Sequence, residues 1–389
     1  MAARAGTQTG RLGSNQSALS LGTKFSRISY SYVILICMVA TIGFAMLYSV
    51  ADGSFDPYAS RQMIRFGLGL SLFFIIAVID IRLILMAAYP AYVGTLLLLG
   101  AVEIFGHVGM GAQRWIDLGF LQLQPSELMK ISILLAMARF FHGLPPDRLN
   151  DPRYLAIPAL LIALPVFLVL RQPDLGTATM LAATGLAVWF LAGVFWKLFA
   201  AGAAALTLAM PVAWSLLRDY QKDRVLTFIN PERDPLGAGY HILQSKIALG
   251  SGGLSGRGYM EGTQSHLSFL PESQTDFVFT MLAEEFGLIG ALSLVALYAL
   301  IIFVGMFMAW QARSPFARLL GAGLVLNFFL YVLINIAMVT GLMPVVGVPL
   351  PLVSYGGTAM LTLMIGFGLL MSIHVHRDTE LPRGDATLI

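Results

Sequence analysis

The residues best suited to chemistry lie in one polar interval, Asn230 to Glu285, of a chain that is otherwise a series of apolar runs. Asp276 stands where this interval gives way to the next apolar run. A carboxylate there can take a proton from an attacking hydroxyl, since partial desolvation raises the pKa of an aspartate. Aspartate is also favoured as the N-cap of a helix, where it accepts hydrogen bonds from free backbone N–H groups. The residues alone leave Asp276 as either a general base or a helix cap.

A second set of charges lies at the predicted ends of apolar segments. Glu127 and Lys130 are three residues apart and follow Pro125 and Ser126, so they share one face at the start of a helix. Asp174 lies at the boundary of another apolar segment. Charges at membrane depth are costly and usually functional. A plain ion pair between Glu127 and Lys130 is the alternative interpretation.

Glu284 and Glu285 lie eight and nine residues beyond Asp276, inside an apolar segment. At about 1.5 Å per residue, this position is about 12–14 Å into a helix. An ionised side chain at that depth needs a cation or a polar cavity. Arg65 and Arg114 are the candidate partners.

The composition identifies the environment of these residues. Hydrophobic residues make up 57% of the 389 residues and charged residues only 12%, with a mean hydropathy of +0.78. These charges are too few to cover a soluble globule, so lipid must solvate the chain. The net charge is +3, but the basic residues lie at connectors and not in one patch, which argues against nucleic acid as a partner. The single cysteine, Cys37, excludes an intrachain disulfide and a cysteine metal cluster.

The apolar runs predict an all-α integral membrane protein with about ten transmembrane helices. They lie near residues 32–50, 62–79, 83–102, 125–142, 154–172, 175–194, 197–215, 277–309, 319–341 and 359–375. One large loop, about 216–275, interrupts them. Within this loop, Tyr240–Leu249 is typical of a short interfacial helix with Ile242, Leu243 and Ile247 on its apolar face.

Lysines and arginines in short loops set the orientation of such a protein. Their distribution predicts that both termini are cytoplasmic and that the loop at 216–275 lies on the outer face. Residues 1–30 are rich in Gly, Ser and Thr and are predicted to be a disordered cytoplasmic tail. Residues 31–376 are then the membrane domain, and residues 377–389 are a second cytoplasmic tail.

Several long motifs resemble one family over nearly the whole chain. They are GAQRWIDLG, LQPSELMK, RQPDLGTA, GYHILQSKIALGSGG, LSGRGYMEGTQSHLSFLPESQTDFVFTMLAEEFGLIG and GLMPVVGVPLPLVSYGGT. The chain thereby resembles the SEDS family and, within it, the RodA branch. The resemblance implies a peptidoglycan glycosyltransferase in the membrane. Such an enzyme joins lipid-linked disaccharide-pentapeptide units, lipid II, into glycan strands on the outer face of the cytoplasmic membrane during cell elongation.

The resemblance also implies roles for individual residues. Asp276 matches the family's essential aspartate, which favours the general base, with undecaprenyl pyrophosphate as the leaving group. The family's charge cluster implies that Lys130 neutralises Asp174, with Glu127 and Glu285 in support. The negative charge of the leaving group needs cations or N–H donors. The candidates are Arg65, Arg114, Arg224, Lys246 and Arg257, each of which could instead contact lipid headgroups.

The resemblance implies a class B penicillin-binding protein and other elongation proteins as partners, and the bacterial inner membrane as the location. A divalent cation, Mg²⁺ or Mn²⁺, is a candidate cofactor, with its ligands left open. Three alternatives remain. They are a lipid II transporter, for which we find no internal repeat with paired broken helices, a division-specific polymerase of the FtsW type, and a scaffold, which would not need these charges.

Overall fold

The computed structural model describes residues 19–109, 112–117, 122–216, 222–223, 226–228, 230, 238–263 and 273–382. Helices dominate, because backbone groups in lipid must pair internally. A short helix, α1 (Leu21–Ser26), comes first. It is followed by α2 (Tyr30–Val50), α3 (Ala59–Val78), α4 (Ile81–Phe105), α5 (Pro125–Gly143), α6 (Pro152–Arg171), α7 (Leu175–Ala192), α8 (Trp196–Leu216), α9 (Ala238–Ser251), α10 (Val278–Trp310), α11 (Pro315–Val339) and α12 (Gly357–Val375).

Each of the ten predicted apolar segments corresponds to a long helix, and the predicted helical integral membrane fold is confirmed. In the part of the chain that the structure describes, seven helices are long and apolar enough to cross a membrane: α2, α3, α4, α6, α10, α11 and α12. Helices α7 and α8 contain shorter apolar stretches. Helix α5 is not among the seven, and it carries three charged residues, Glu127, Lys130 and Arg139. Hydropathy and length alone therefore identify fewer spans than the ten predicted.

Helices α5, α11 and α12 form the centre of the bundle. In the most apolar 18-residue stretch of each helix, 72% of the residues are buried in α11 and in α12, but only 22% in α4 and in α6. Helix α5 is buried nearly all round and packs against α4, α7 and α11. Helix α12 packs closely on α3. The outer helices turn large apolar side chains outward, as a lipid-facing surface requires.

A small antiparallel sheet between α4 and α5 was not predicted. Its strands are β1 (His107–Gly109), β2 (Ala112–Asp117) and β3 (Gln122–Leu123), in the order β1-β2-β3. Strand β2 contacts α4 and α5. The sheet therefore brings the residues of β2, including Arg114, against the start of α5.

The large loop contains the predicted short helix, α9. Its buried residues include Ile242, Ser245 and Ala248, whereas Leu243 and Ile247 are exposed. Ile242 therefore packs inward, whereas Leu243 and Ile247 are left free to face lipid, and the interfacial position of this helix stays a prediction. The hydroxyl of Ser245 donates to Val339 O at 2.7 Å, which shows that hydrogen bonds as well as apolar contacts orient this helix.

Helix α10 is kinked at Gly287, which has φ +65° and ψ −163°. The segment after α9 supplies backbone partners on both sides of the kink. Arg257 N donates to Glu284 O at 3.0 Å, and Leu288 N donates to Gly253 O at 3.0 Å. The loop that follows α9 thereby replaces hydrogen bonds that a straight helix would make within itself.

Part of the predicted disordered tail is ordered. Helix α1 lies within residues 1–30, and Lys24 Nζ donates to Val78 O at 2.8 Å. Arg27 pairs with Asp378 at 3.0 Å, so this segment packs beside the residues that follow α12. Residues 1–18 lie outside the described residues.

Candidate active site

One cavity of about 380 Å³ brings five of the predicted charged residues together. Four helices begin beside it, namely α5, α7, α10 and α12. Its lining includes Arg114, Glu127, Lys130, Asp174 and Asp276. These residues come from β2, α5 and the approaches to α7 and α10. The cavity is therefore assembled from segments that are distant in sequence.

Asp276 is half-buried in the last turn before α10. The N-cap of that helix is Phe277, so Asp276 precedes the cap position. Its Oδ2 atom lies against Gly347, where an added Cβ would be 3.4 Å away. Gly347 has φ +71°, a conformation that favours glycine. A loop between α11 and α12 therefore approaches the carboxylate closely.

Glu127 and Lys130 form a buried ion pair at the cavity. Lys130 Nζ lies 2.7 Å from Glu127 Oε1, and the two residues are 2% and 4% exposed. The hydroxyl of Tyr331 completes the group, because it accepts from Lys130 Nζ and donates to Glu127 Oε2. The mutual ion pair considered from the sequence is therefore present, and it faces the cavity.

The predicted pairing of Lys130 with Asp174 is not what the structure shows. Asp174 is the N-cap of α7, and its carboxylate accepts from Thr177 N at 3.0 Å and from Thr177 Oγ1 at 2.9 Å. Its cationic partner is Arg114, whose Nε lies 3.6 Å from Asp174 Oδ2. The same guanidinium donates to Pro173 O at 2.6 Å. Strand β2 places this arginine there, and the sequence did not reveal that strand.

Arg65 lies at the edge of the same site. Its guanidinium carbon is 4.6 Å from the ring centroid of Tyr355, which lines the cavity. It also lies against Gly357, the first residue of α12. Its Nη1 atom is buried and has no hydrogen-bond partner among the described residues. Arg65 is therefore placed to meet a negatively charged group.

The other basic candidates lie away from the cavity or outside the described residues. Arg257 donates to Thr263 Oγ1 at 2.9 Å, and Thr263 in turn donates to Glu284 Oε1 at 3.2 Å. Lys246 packs against Gly341. Neither Arg257 nor Lys246 lines the cavity. Arg224 lies outside the described residues.

Glu285 does not belong to the charge cluster at the cavity. Its Oε1 accepts a hydrogen bond from Ser49 Oγ of α2, and the side chain is almost fully buried. Burial raises the pKa of the Tyr259 hydroxyl, and the Glu285 carboxylate nearby raises it further. The candidate partners Arg65 and Arg114 are instead engaged at the cavity.

The helix termini add a favourable field for anions. The N-terminal end of a helix carries partial positive charge and free N–H groups. At α12 the N-cap is Gly356, which has no side chain to occupy those groups. Within the described residues no three His, Cys, Asp or Glu side chains are grouped as metal ligands, and the divalent cation stays a prediction.

Comparison with known proteins identifies the family. The sequence model of the protein family that groups FtsW, RodA and SpoVE, described as cell cycle protein, matches residues 29–379. The chain is 46% identical over 348 residues to peptidoglycan glycosyltransferase MrdB of Escherichia coli K12, covering 89% of this chain and 93% of that protein. It is 36% identical over 321 residues to the protein of that name from Helicobacter pylori 26695, covering 82% and 83%. The chain belongs to this family of membrane-embedded peptidoglycan glycosyltransferases.

Two solved structures of the family agree with the fold. One is described as the structural coordination of polymerization and crosslinking by a peptidoglycan synthase complex. It matches with a TM-score of 0.79 and 34% identity, over 90% of this chain and 98% of that one. The crystal structure of Thermus thermophilus rod shape determining protein RodA matches with a TM-score of 0.69 and 31% identity, over 90% and 98%.

Sequence reasoning missed the polar face of α11 in this family member. Asn327, Tyr331 and Asn335 recur every four residues in an apolar helix, which places them on one face. Tyr331 contacts the buried ion pair, and Asn335 donates to the backbone of Asp276. This spacing was the signal that could have identified both.

Proposed function

We propose that this glycosyltransferase polymerises lipid II at the cavity, with Asp276 as the general base. The observation that carries the proposal is the position of Asp276 in one cavity with two ion pairs, Glu127–Lys130 and Arg114–Asp174. A half-buried carboxylate beside a space that admits a substrate meets the first geometric requirement for a base.

The reaction needs one proton acceptor and a site for a developing anion. The acceptor hydroxyl attacks the anomeric carbon of the donor sugar, and Asp276 takes the hydroxyl proton as that bond forms. The bond from the anomeric carbon to the pyrophosphate oxygen breaks. Undecaprenyl pyrophosphate then leaves with the bonding electron pair. Its charge is stabilised by fixed cations and N–H donors, which here are Arg114, Lys130 and the start of α12 in the cavity and Arg65 at its edge.

The two ion pairs fix the positions of two of these cations, Lys130 and Arg114. Lys130 is held by Glu127 and Tyr331, and Arg114 is held by Asp174 and Pro173 O. Preorganised charges in a site of low dielectric constant need little rearrangement when the transition state forms. Glu127 and Asp174 therefore orient the two cations, and Asp276 is left to accept the proton.

The proposal includes that the cavity faces the outer side of the bacterial inner membrane. Helices α5, α7, α10 and α12 all begin at the cavity, at the end of the bundle that also carries α9. The distribution of lysines and arginines in short loops puts this end outside and both termini in the cytoplasm. Lipid II presented outside the membrane would meet the cavity directly.

Cell elongation and a class B penicillin-binding protein partner complete the proposal. Support comes from the structural neighbour described as a rod shape determining protein and from the one described as part of a peptidoglycan synthase complex. A transpeptidase joined to this polymerase would crosslink strands as they form.

The test is polymerisation of labelled lipid II by the purified chain in detergent. Glycan strands resolved by length on a gel are the expected product. Intact lipid II with folded protein, combined with movement of lipid II across reconstituted vesicles, would indicate a transporter and reject the proposal.

A further inference from the structure

Three consecutive backbone carbonyls next to the base are held by other parts of the protein. Tyr355 N donates to Gln274 O at 2.8 Å, and Ser354 Oγ donates to Thr275 O. Asn335 Nδ2 of α11 donates to Asp276 O at 3.0 Å. The segment that carries the carboxylate is therefore fixed at each of its last three peptide units before Phe277.

The donors are themselves fixed. Asn335 is fully buried, and its Nδ2 also donates to Val348 O at 2.7 Å. Only the amide nitrogen can donate to two carbonyls, so the orientation of this side chain is determined. Ser354 Oγ accepts from Leu350 N at 2.8 Å, and Ser354 O accepts from the buried Gln62 Nε2 at 2.9 Å.

The two hydrogen bonds of Asn335 connect the segment that carries Asp276 to the loop between α11 and α12. One bond holds the backbone of Asp276, and the other holds Val348, the neighbour of Gly347. Gly347 is the residue against which Asp276 Oδ2 lies. One side-chain amide thus sets the distance between the carboxylate and the loop that it contacts.

We propose that Asn335 is a positioning residue for Asp276, assisted by Ser354. This inference rests on the proposed role of Asp276 as the general base. Asn335 donates only to backbone carbonyls in these contacts, so it acts by holding Asp276 and the loop at Val348 in place. A displacement of a reacting group by about 1 Å can lower a rate by about 10²-fold, which sets the size of the expected effect.

The first experiment compares Asn335→Leu with Asn327→Leu. Asn327 lies on the same face of α11, is buried, and bonds Thr184 Oγ1 at 3.2 Å, away from residues 274–276. Both variants lose a buried amide and should lower the unfolding temperature similarly. We expect Asn335→Leu to lower kcat for lipid II polymerisation by about 10²-fold with KM within about threefold, and Asn327→Leu to keep kcat within about threefold. Equal kcat values for the two variants would overturn the inference.

A second experiment keeps the inference testable if Asn335→Leu fails to fold. Ser354→Ala removes the hydroxyl that donates to Thr275 O and should lower kcat by about tenfold without raising KM. In an Asp276→Asn background, Ser354→Ala should change the residual single-turnover rate by less than about threefold, because the positioned base is gone. The positioning role would be rejected if Ser354→Ala lowered the rate of the Asp276→Asn variant by the same roughly tenfold factor. It would also be rejected if Ser354→Ala alone kept the parent kcat. If Asp276→Asn itself polymerises at the parent rate, the base assignment fails instead.

Discussion

Lys130 and Glu127 show how a single buried pair supports the site. Removing one partner of a buried ion pair costs about 3–5 kcal/mol, because the remaining charge is uncompensated. Lys130 and Glu127 are both almost fully buried and share Tyr331. We therefore expect Lys130→Met to lower the unfolding temperature in detergent and to lower the polymerisation rate.

The pairing seen in the structure predicts which second change restores stability. Adding Glu127→Gln to Lys130→Met should recover most of the lost unfolding temperature, since no unpaired charge remains. Adding Asp174→Asn should not, because Asp174 contacts Arg114 and Thr177. Recovery with Asp174→Asn and not with Glu127→Gln would contradict the observed pairing.

The charged residues of the site were predictable for a physical reason. Asp276, Glu127, Lys130 and Asp174 interrupt or bound apolar runs, where a charge is costly without a function. The cationic partner of Asp174 was not predictable, because the position of Arg114 depends on strand β2. The spacing of Asn327, Tyr331 and Asn335 indicates a polar face, but it does not show which backbone carbonyls Asn335 meets.

The kink of helix α10 requires glycine at position 287. Gly287 has φ +65° and ψ −163°, and an added Cβ would lie 2.3 Å from Gly256 N. Strained backbone of this kind costs about 1–3 kcal/mol before any clash is counted. We expect Gly287→Ala to lower folding yield and unfolding temperature. Gly100→Ala on α4 is the control, because nothing lies within 4 Å of its added Cβ, and it should be neutral or slightly stabilising.

If Gly287→Ala unfolds at the parent temperature, the kink is not fixed by this backbone conformation.

The long helices were predictable from apolar runs, whereas the kink and the sheet were not. The strands of that sheet are only three, six and two residues long, too short to show a clear alternation. Gly287 is one of 39 glycines in the chain, and its left-handed conformation depends on the loop that packs against it.

For the whole molecule, the orientation in the membrane decides whether the cavity faces its substrate. Ser255 is exposed in the loop after α9, and Asp147 is exposed in the connector between α5 and α6 at the opposite end of the bundle. In a Cys37→Ser background, Ser255→Cys should react with an impermeant thiol reagent in intact cells. Asp147→Cys should react only after the cells are opened. The reverse pattern would place the cavity on the cytoplasmic side.

The role of Asp276 tests the whole account most directly. Asp276→Asn keeps the shape of the side chain and the backbone carbonyl that Asn335 holds, but it cannot accept a proton at neutral pH. Asp378→Asn, the same change in an exposed pair with Arg27, is the matched control and should keep the parent rate. We expect Asp276→Asn to purify with the parent unfolding temperature and to polymerise lipid II at least about 10²-fold more slowly. A folded Asp276→Asn variant that polymerises lipid II near the parent rate would contradict the assignment of Asp276 as the base.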